Sequence, residues 1–300
     1  MTVNTIRVLF ACTICLCLFS AADARAEEQP QQPIEDVYKQ VVDADGNPYN
    51  LSLHIFFPDD WTPDDTRPAI VFFFGGGWNG GSPAQFYPHC RELASMGMVA
   101  VSADYRVRSR HGTPPTACVE DGRSAVRYLR AHAGELGIDP DRVAAGGGSA
   151  GGHVAAATAL CGDFNDPADE EAVNAVPDAL VLFNPVLDTS RATGYGGSRL
   201  GDDHLRLSPA HRVHEGQPDS IVFHGDADRT IPISVARRFA EASEDTGASC
   251  ELVEYEGQGH GFFNHPAFRK NNDPAIYADT MERTVVFLRD MGLLDLPADD

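Results

Sequence analysis

Basic residues are scarce in this chain. Lysine and arginine number 23 against 44 aspartates and glutamates, leaving a formal charge of -21 over 300 residues. A surface this acidic repels nucleic acid and anionic membranes, disfavours a polyanionic substrate and promotes solubility. Cysteine is thin as well. Of the seven, Cys12, Cys15 and Cys17 fall in the N-terminal apolar stretch, which leaves Cys90, Cys118, Cys161 and Cys250. These four lack the close spacing of a zinc site, so neither a metal nor a cofactor is expected. They allow three full disulfide pairings, and buried free thiols suit a domain of this size equally well. No apolar run is long enough to cross a bilayer. Repeats, low-complexity tracts and a linker between separate cores are also missing. With 43% hydrophobic and 22% charged residues, the chain can bury one large core or two modest ones.

The first residues stand apart. Arg7 precedes an apolar stretch at residues 8–19, and Ala24, Arg25 and Ala26 make a small-x-small cleavage pattern before the polar segment at 27–33. This reads as a secretory signal peptide over residues 1–26 and a single domain over 27–300, hence a secreted or periplasmic protein with no integral membrane segment after cleavage. Cys12 closes a faint lipoprotein box, but almost no apolar sequence precedes it.

One short stretch organises the remainder. Gly147, Gly148, Ser149, Ala150 and Gly151 fit G-x-S-x-G, with strand-like residues 142–145 before them and an alanine-rich, helix-like segment at 150–160 after. In that setting the serine sits on a sharp strand-to-helix turn that lifts its hydroxyl clear of the sheet, and small flanks are needed for the two arms to approach.

Before this turn, residues 35–42 and 50–57 alternate apolar and polar side chains across a turn-forming 43–48, which predicts an antiparallel hairpin. A loop at 58–68 leads to the apolar run 69–74, typical of a strand buried on both faces. Helices are expected near 83–96, 116–133, 233–246 and 274–291, and strands at 98–103, 179–184, 220–224 and 250–255. Alternation of this kind means a mostly parallel sheet of about eight strands with helices on both faces. Residues 163–177 form an acidic insertion. Residues 185–218 have no clean period and are expected to make a small helical cap excursion.

In an open parallel sheet, functional groups collect at the carboxyl ends of strands. Three glycines, Gly75, Gly76 and Gly77, follow a buried strand and can turn backbone N–H groups toward a developing oxyanion. The N–H of Ala150, at the start of its helix, is a natural second donor. Asp226 and Asp228 follow a later strand, and His260 lies between glycines after the last one. Serine, aspartate, histidine is the chain order of the α/β-hydrolase arrangement. His153 shares the helix leading away from Ser149 and reads as a packed histidine rather than the base. His211 and His214 read as surface or cap residues. Asp121 reads as a helix-terminus carboxylate. Trp78 is open between core and substrate wall.

These motifs resemble the α/β-hydrolase esterases allied to hormone-sensitive lipase and to bacterial feruloyl and acetylxylan esterases, from about residue 69 to the last helix. Gly75, Gly76, Gly77 and Trp78 are similar to that group's H-G-G-G loop, with Phe74 where many relatives have histidine, so a polar tether of the loop is lost. Gly148 to His153 resembles its elbow and His224 to Pro232 its acid loop, where the carboxylate before x-x-[IV]-P is the triad acid. The resemblance therefore implies Ser149, Asp228 and His260 as the catalytic triad, Gly76, Gly77 and Ala150 as oxyanion donors, and Trp78 at the substrate. It implies hydrolysis of short acyl esters, with acetyl or feruloyl esters of polysaccharide as candidate partners. A peptidase or amidase of the same fold, or a binding protein on a hydrolase scaffold, are the competing readings. Oligomeric state is left open. Substrate choice is expected to lie with the loops at 58–68 and 185–218.

Overall fold

The computed structural model describes residues 30–295. The segment 1–26, which the sequence reads as a signal peptide, lies outside the described residues with Cys12, Cys15 and Cys17. From Gln32 onward the chain forms one unit.

The predicted hairpin opens it. Strand β1 (Ile34–Val42) pairs antiparallel with β2 (Pro48–Phe56). Their turn is tied by Asp43, whose Oδ1 accepts from the amides of Asp45 and Asn47. Strands β3 (Arg67–Phe73), β4 (Val99–Ala103), β5 (Ile138–Gly148), β6 (Ala179–Phe183), β7 (Asp219–Gly225) and β8 (Cys250–Tyr255) follow. Between and after them run helices α1 (Tyr87–Ser95), α2 (Arg108–His111), α3 (Pro115–Ala131), α4 (Ala133–Leu136), α5 (Ala150–Leu160), α6 (Ile233–Asp245) and α7 (Pro274–Asp290). The eight strands are ordered β1-β2-β4-β3-β5-β6-β7-β8, and every pair from β4 to β8 is parallel.

The period of two along each strand divides the core. Ala69, Val71 and Phe73 of β3 face a layer with residues of α3, α5 and α6, whereas Ile70 and Phe72 face one with residues of α1 and α7. Continuous apolar strands are what a sheet covered on both faces requires. Helix α5 is buried along its whole length, which explains why its sequence is apolar all round instead of amphipathic.

Residues 185–218 make a small helical excursion as expected, carried by three short 3₁₀ helices at Gly197–Arg199, Gly201–His204 and Pro209–His211. One expectation needs correcting here. Asp121 is not at a helix terminus, because α3 starts at Pro115. Its carboxylate is fully buried in the interior of α3, taking Lys39 Nζ at 2.8 Å and both the amide and guanidinium of Arg106. A buried charge demands such partners. Lys39 also reaches Asp166 at 2.7 Å, so the acidic insertion is pinned to the sheet edge and to α3. The four cysteines in the described residues are buried and free.

The α1 face buries His89 with neither ring nitrogen hydrogen bonded, among Phe72, Phe86, Phe183, Phe263 and Tyr277. Burial, reinforced by His265, pushes its pKa down to about 3. Burial likewise lowers His153 to about 4, against the opposing pull of its bond to Leu207. An unfolded histidine titrates near pH 6.5. Between there and pH 4 the unfolded chain therefore binds protons that the native state refuses, and stability falls as pH falls. Each histidine contributes about 1.4 kcal/mol per pH unit in that window. Urea denaturation at pH 7.5, 6 and 5 should reveal this loss, and His89→Leu should make the slope shallower by about one histidine's share. An unaltered slope in the variant would refute the account.

Candidate active site

The site forms where β3, β5, β7 and β8 end. β5 runs straight into Ser149, which has φ 56° and ψ -118°, and α5 begins at the next residue. A β-carbon on a residue with positive φ is strained. The turn is held regardless: the Ser149 amide donates to Phe183 O at 2.9 Å, and Ser149 O accepts from His153 and Val186. Gly151 is compulsory, since a Cβ there would collide with the carbonyl oxygens of Phe73 and Phe74. Close packing of α5 onto the end of β3 thus fixes where the hydroxyl emerges.

His260 lies in the turn after β8. Its Nε2 is 2.9 Å from Ser149 Oγ, and its Nδ1 is 2.7 Å from Asp228 Oδ2. The only protonation of a neutral imidazole that satisfies both has Nδ1–H donating to the carboxylate and Nε2 accepting from the hydroxyl. Asp228 is held in turn by the amides of Thr230 and Ile231 on Oδ1, at 2.7 and 3.0 Å. Burial pushes its carboxyl up, but the bonds from His260, Ile231 and Thr230 outweigh burial and hold it below the ordinary aspartate value. Asp226 is exposed and accepts from Gly257 N, away from His260. Of the two aspartates weighed on sequence, the structure brings Asp228 to the histidine.

The glycine loop lies against this trio. Gly76 (φ 137°), Gly77 (φ 62°) and Trp78 (φ 57°) turn in succession through the left-handed region. A Cβ on Gly76 would run into the Gly80 carbonyl, so only glycine fits. Gly76, Gly77 and Ser149 border one cleft of about 460 Å³ together with His260. The Gly75 amide is occupied, donating to Gln85 Oε1 at 2.6 Å. The loop donors open to a ligand are then Gly76 and Gly77, with Ala150 at the head of α5 opposite.

Gln85 was not visible as a site residue in the sequence. Its Nε2 donates to Asn264 Oδ1 at 2.7 Å, and Asn264 Nδ2 donates to Gly261 O at 2.8 Å. A buried amide chain therefore connects the glycine loop to the residue after His260. It replaces the tether that histidine at position 74 would supply; Phe74 instead stacks on Tyr105 with ring centroids 4.2 Å apart. Gln85→Leu leaves the Gly75 amide and Asn264 Oδ1 without these partners. It should lower kcat by about tenfold or more with little change in KM, a fraction of what losing an oxyanion donor costs; steady-state kinetics decides it.

Trp78 is only 2% exposed. Its Nε1–H donates to His153 Nδ1 at 3.2 Å, and His153 Nε2–H donates to Leu207 O at 2.7 Å. The indole thus belongs mainly to the core, and borders the neighbouring cavity rather than the cleft holding Ser149. His153 packs as expected and does not meet Ser149 Oγ. The loop at 58–68 is not at the site: it enters the amino end of β3, and Trp61 bonds to Leu136 O. Its place is taken by the segment after His260, where Phe263, Phe268 and Arg269 border the cleft, while Tyr195 reaches in from the 185–218 excursion. Arg269 Nη1 donates to His260 O at 2.9 Å, steadying that turn.

A strand-to-helix serine, a histidine and an aspartate at the ends of a parallel eight-stranded sheet define an α/β-hydrolase fold with a hydrolase-type site. Comparisons with known proteins agree. The BD-FAE family model matches residues 53–194, and that of the dienelactone hydrolase family residues 195–292. Thermogutta terrifontis esterase 2, in its structure phosphorylated by paraoxon, superposes with a TM-score of 0.82 at 45% identity, covering 91% of this chain and 99% of that one. Its propionate-bound structure superposes with the same TM-score at 44% identity, over 90% of this chain and 98% of that one. Esterase LipC of Mycobacterium tuberculosis is 32% identical over 222 residues, 67% of this chain and 54% of its own length. Carboxylesterase NlhH of the same species is 30% identical over 226 residues, 68% of this chain and 70% of its own. The match spans about half the length of LipC. The chain belongs to the α/β-hydrolase esterase family.

Proposed function

We propose that the protein is a serine-dependent carboxylic ester hydrolase acting on short acyl esters. The observation that carries this is the unbroken chain Ser149 Oγ, His260 Nε2, His260 Nδ1, Asp228 Oδ2, with links of 2.9 and 2.7 Å. His260 takes the proton as Ser149 attacks the ester carbonyl; Asp228 keeps the imidazole in its working tautomer and stabilises the imidazolium. The amides of Gly76, Gly77 and Ala150 face the oxygen that gains negative charge. His260 then gives its proton to the departing alcohol, leaving an acyl-serine, and activates the water that hydrolyses it. A histidine base must be neutral, so activity of this kind falls on the acid side as the imidazole is protonated.

The cleft is of modest size, and the propionate and butyrate named for the Thermogutta terrifontis structures favour short acyl groups here too. Acetyl or feruloyl esters of polysaccharide are the proposed natural class, and the leader-like residues 7–26 support export to the periplasm or beyond. A fluorophosphonate probe should add one phosphonyl mass to the peptide containing Ser149, with parallel hydrolysis of nitrophenyl acetate and butyrate. Labelling elsewhere, or none, would refute the reading.

A further inference from the structure

Beside the serine cleft lies a second cavity of about 550 Å³, and the two share Gly76, Gly77 and Tyr195. Two guanidinium groups border it: Arg108, at the start of α2, and Arg199, on the 185–218 excursion. The arginines on either side of Arg108 are bound to carboxylates, Arg106 to Asp121 at 2.7 Å and Arg110 to Asp104 at 2.6 Å. Arg108 and Arg199 have no carboxylate partner among the described residues. Arg199 is nonetheless placed, donating to Gly77 O at 3.0 Å and lying 5.6 Å above the centre of the Tyr195 ring.

In a chain with 44 acidic and 23 basic residues, two cations left without acidic neighbours at one cavity run against the composition. Most other arginines among the described residues pair with a carboxylate, as Arg67, Arg127, Arg130 and Arg142 do; Arg123, Arg229 and Arg269 do not, Arg123 and Arg269 bonding neutral groups instead, but none of these three borders this cavity. Asn79 and Thr113 add neutral polar groups to the same wall. A planar guanidinium matches a carboxylate with two parallel N–H donors, and such charge-assisted bonds are the strong ones. We infer that this cavity is a subsite for a single carboxylate carried by the ester substrate, reached across the Gly76–Gly77 loop from the serine. The preferred esters are monoanionic. A polyanion remains disfavoured by the overall charge of -21, because that field acts at range, whereas one carboxylate between two guanidinium groups is bound at contact. The inference rests on the esterase reading above and names the substrate class for that same site.

The carboxylate could belong to the acyl part or to the alcohol part of the ester. Two pairs of substrates separate these: mono-4-nitrophenyl glutarate against 4-nitrophenyl butyrate, and 4-acetoxybenzoate against its methyl ester. In the wild-type protein, kcat/KM for the acidic member relative to its neutral partner should exceed the same ratio in Arg108→Gln by about tenfold or more in one pair, the size of a charge-assisted bond. The pair that responds identifies the side. Ratios within twofold of wild type in both pairs would overturn the subsite while neutral-ester turnover leaves the esterase reading standing. A wild-type protein inert toward all four esters would overturn both. Salt supplies a measurement that needs no variant. A net charge of -21 alone repels an anionic ester, so screening would raise its kcat/KM. The subsite reverses the sign: going from about 20 to about 500 mM salt should lower kcat/KM of the acidic ester severalfold relative to the neutral one. A rise, or no change, would overturn the proposal.

Discussion

Ser149→Ala is expected to lower kcat on a short-chain nitrophenyl ester by about 10⁵-fold or more, because without the hydroxyl neither His260 nor Asp228 has a nucleophile to serve. What remains is the slow attack of water assisted by the oxyanion donors alone. The fold should survive, since the amide and carbonyl of Ser149, which bond to Phe183, His153 and Val186, are backbone groups unaffected by the change. Alanine inherits the positive φ of 56° and its strain. Glycine does not, so Ser149→Gly should be more stable than Ser149→Ala by about 1 kcal/mol, the difference between an L-residue and glycine in such backbone. Urea denaturation of the two variants, alongside their kinetics, tests both halves. An alanine variant keeping a hundredth of wild-type turnover would sink the mechanism. If the alanine variant were the more stable, the turn would not be storing strain.

The elements that proved legible share a cause. Residues 69–74 and 150–160 read with bounds close to the observed β3 and α5 because burial on both faces leaves a clear apolar pattern in sequence. The serine turn was legible because steric crowding permits only small residues around it. The polar support was not. Gln85 and Asn264 are ordinary amides in sequence, separated by 179 positions, and only the fold brings them to the same pair of loops. Asp121 reads as a terminal carboxylate on sequence, but α3 starts at Pro115, nearly two turns earlier, and nothing local signals that Lys39 and Arg106 converge on it. The polar, proline-rich loop at 58–68 is expected from sequence to choose the substrate, but composition does not say at which end of a strand a loop lies. Topology does: segments entering parallel strands lie opposite the site, and the segments leaving β3, β5, β7 and β8 carry the glycine loop, Ser149, Asp228 and His260, with Tyr195 added from beyond β6.

The choice between the two acid-loop aspartates is where sequence and geometry can be separated by experiment. Asp228→Asn is expected to reduce kcat by about 10⁴-fold near neutral pH. Asparagine can keep accepting from Thr230 and Ile231 through its Oδ1, so the loop from β7 should hold. Facing His260, however, the amide presents N–H to Nδ1 and favours the tautomer with the proton on Nε2, where it points at Ser149 Oγ and cannot accept the hydroxyl proton. Asp226→Asn should leave kcat within about threefold, because its oxygen bonds only to the Gly257 amide and the interaction survives in the amide. The pH profile adds a check. Although burial acts to raise it, the hydrogen bonds from His260, Ile231 and Thr230 keep the Asp228 carboxyl below its ordinary value, so it stays ionised throughout the range in which the enzyme is assayed, and the acid limb of the wild-type profile must come from protonation of the imidazole base. Steady-state rates for the two variants between about pH 5 and 9 settle the assignment. Equal losses in both variants, or a larger loss for Asp226→Asn, would move the acid's role away from Asp228.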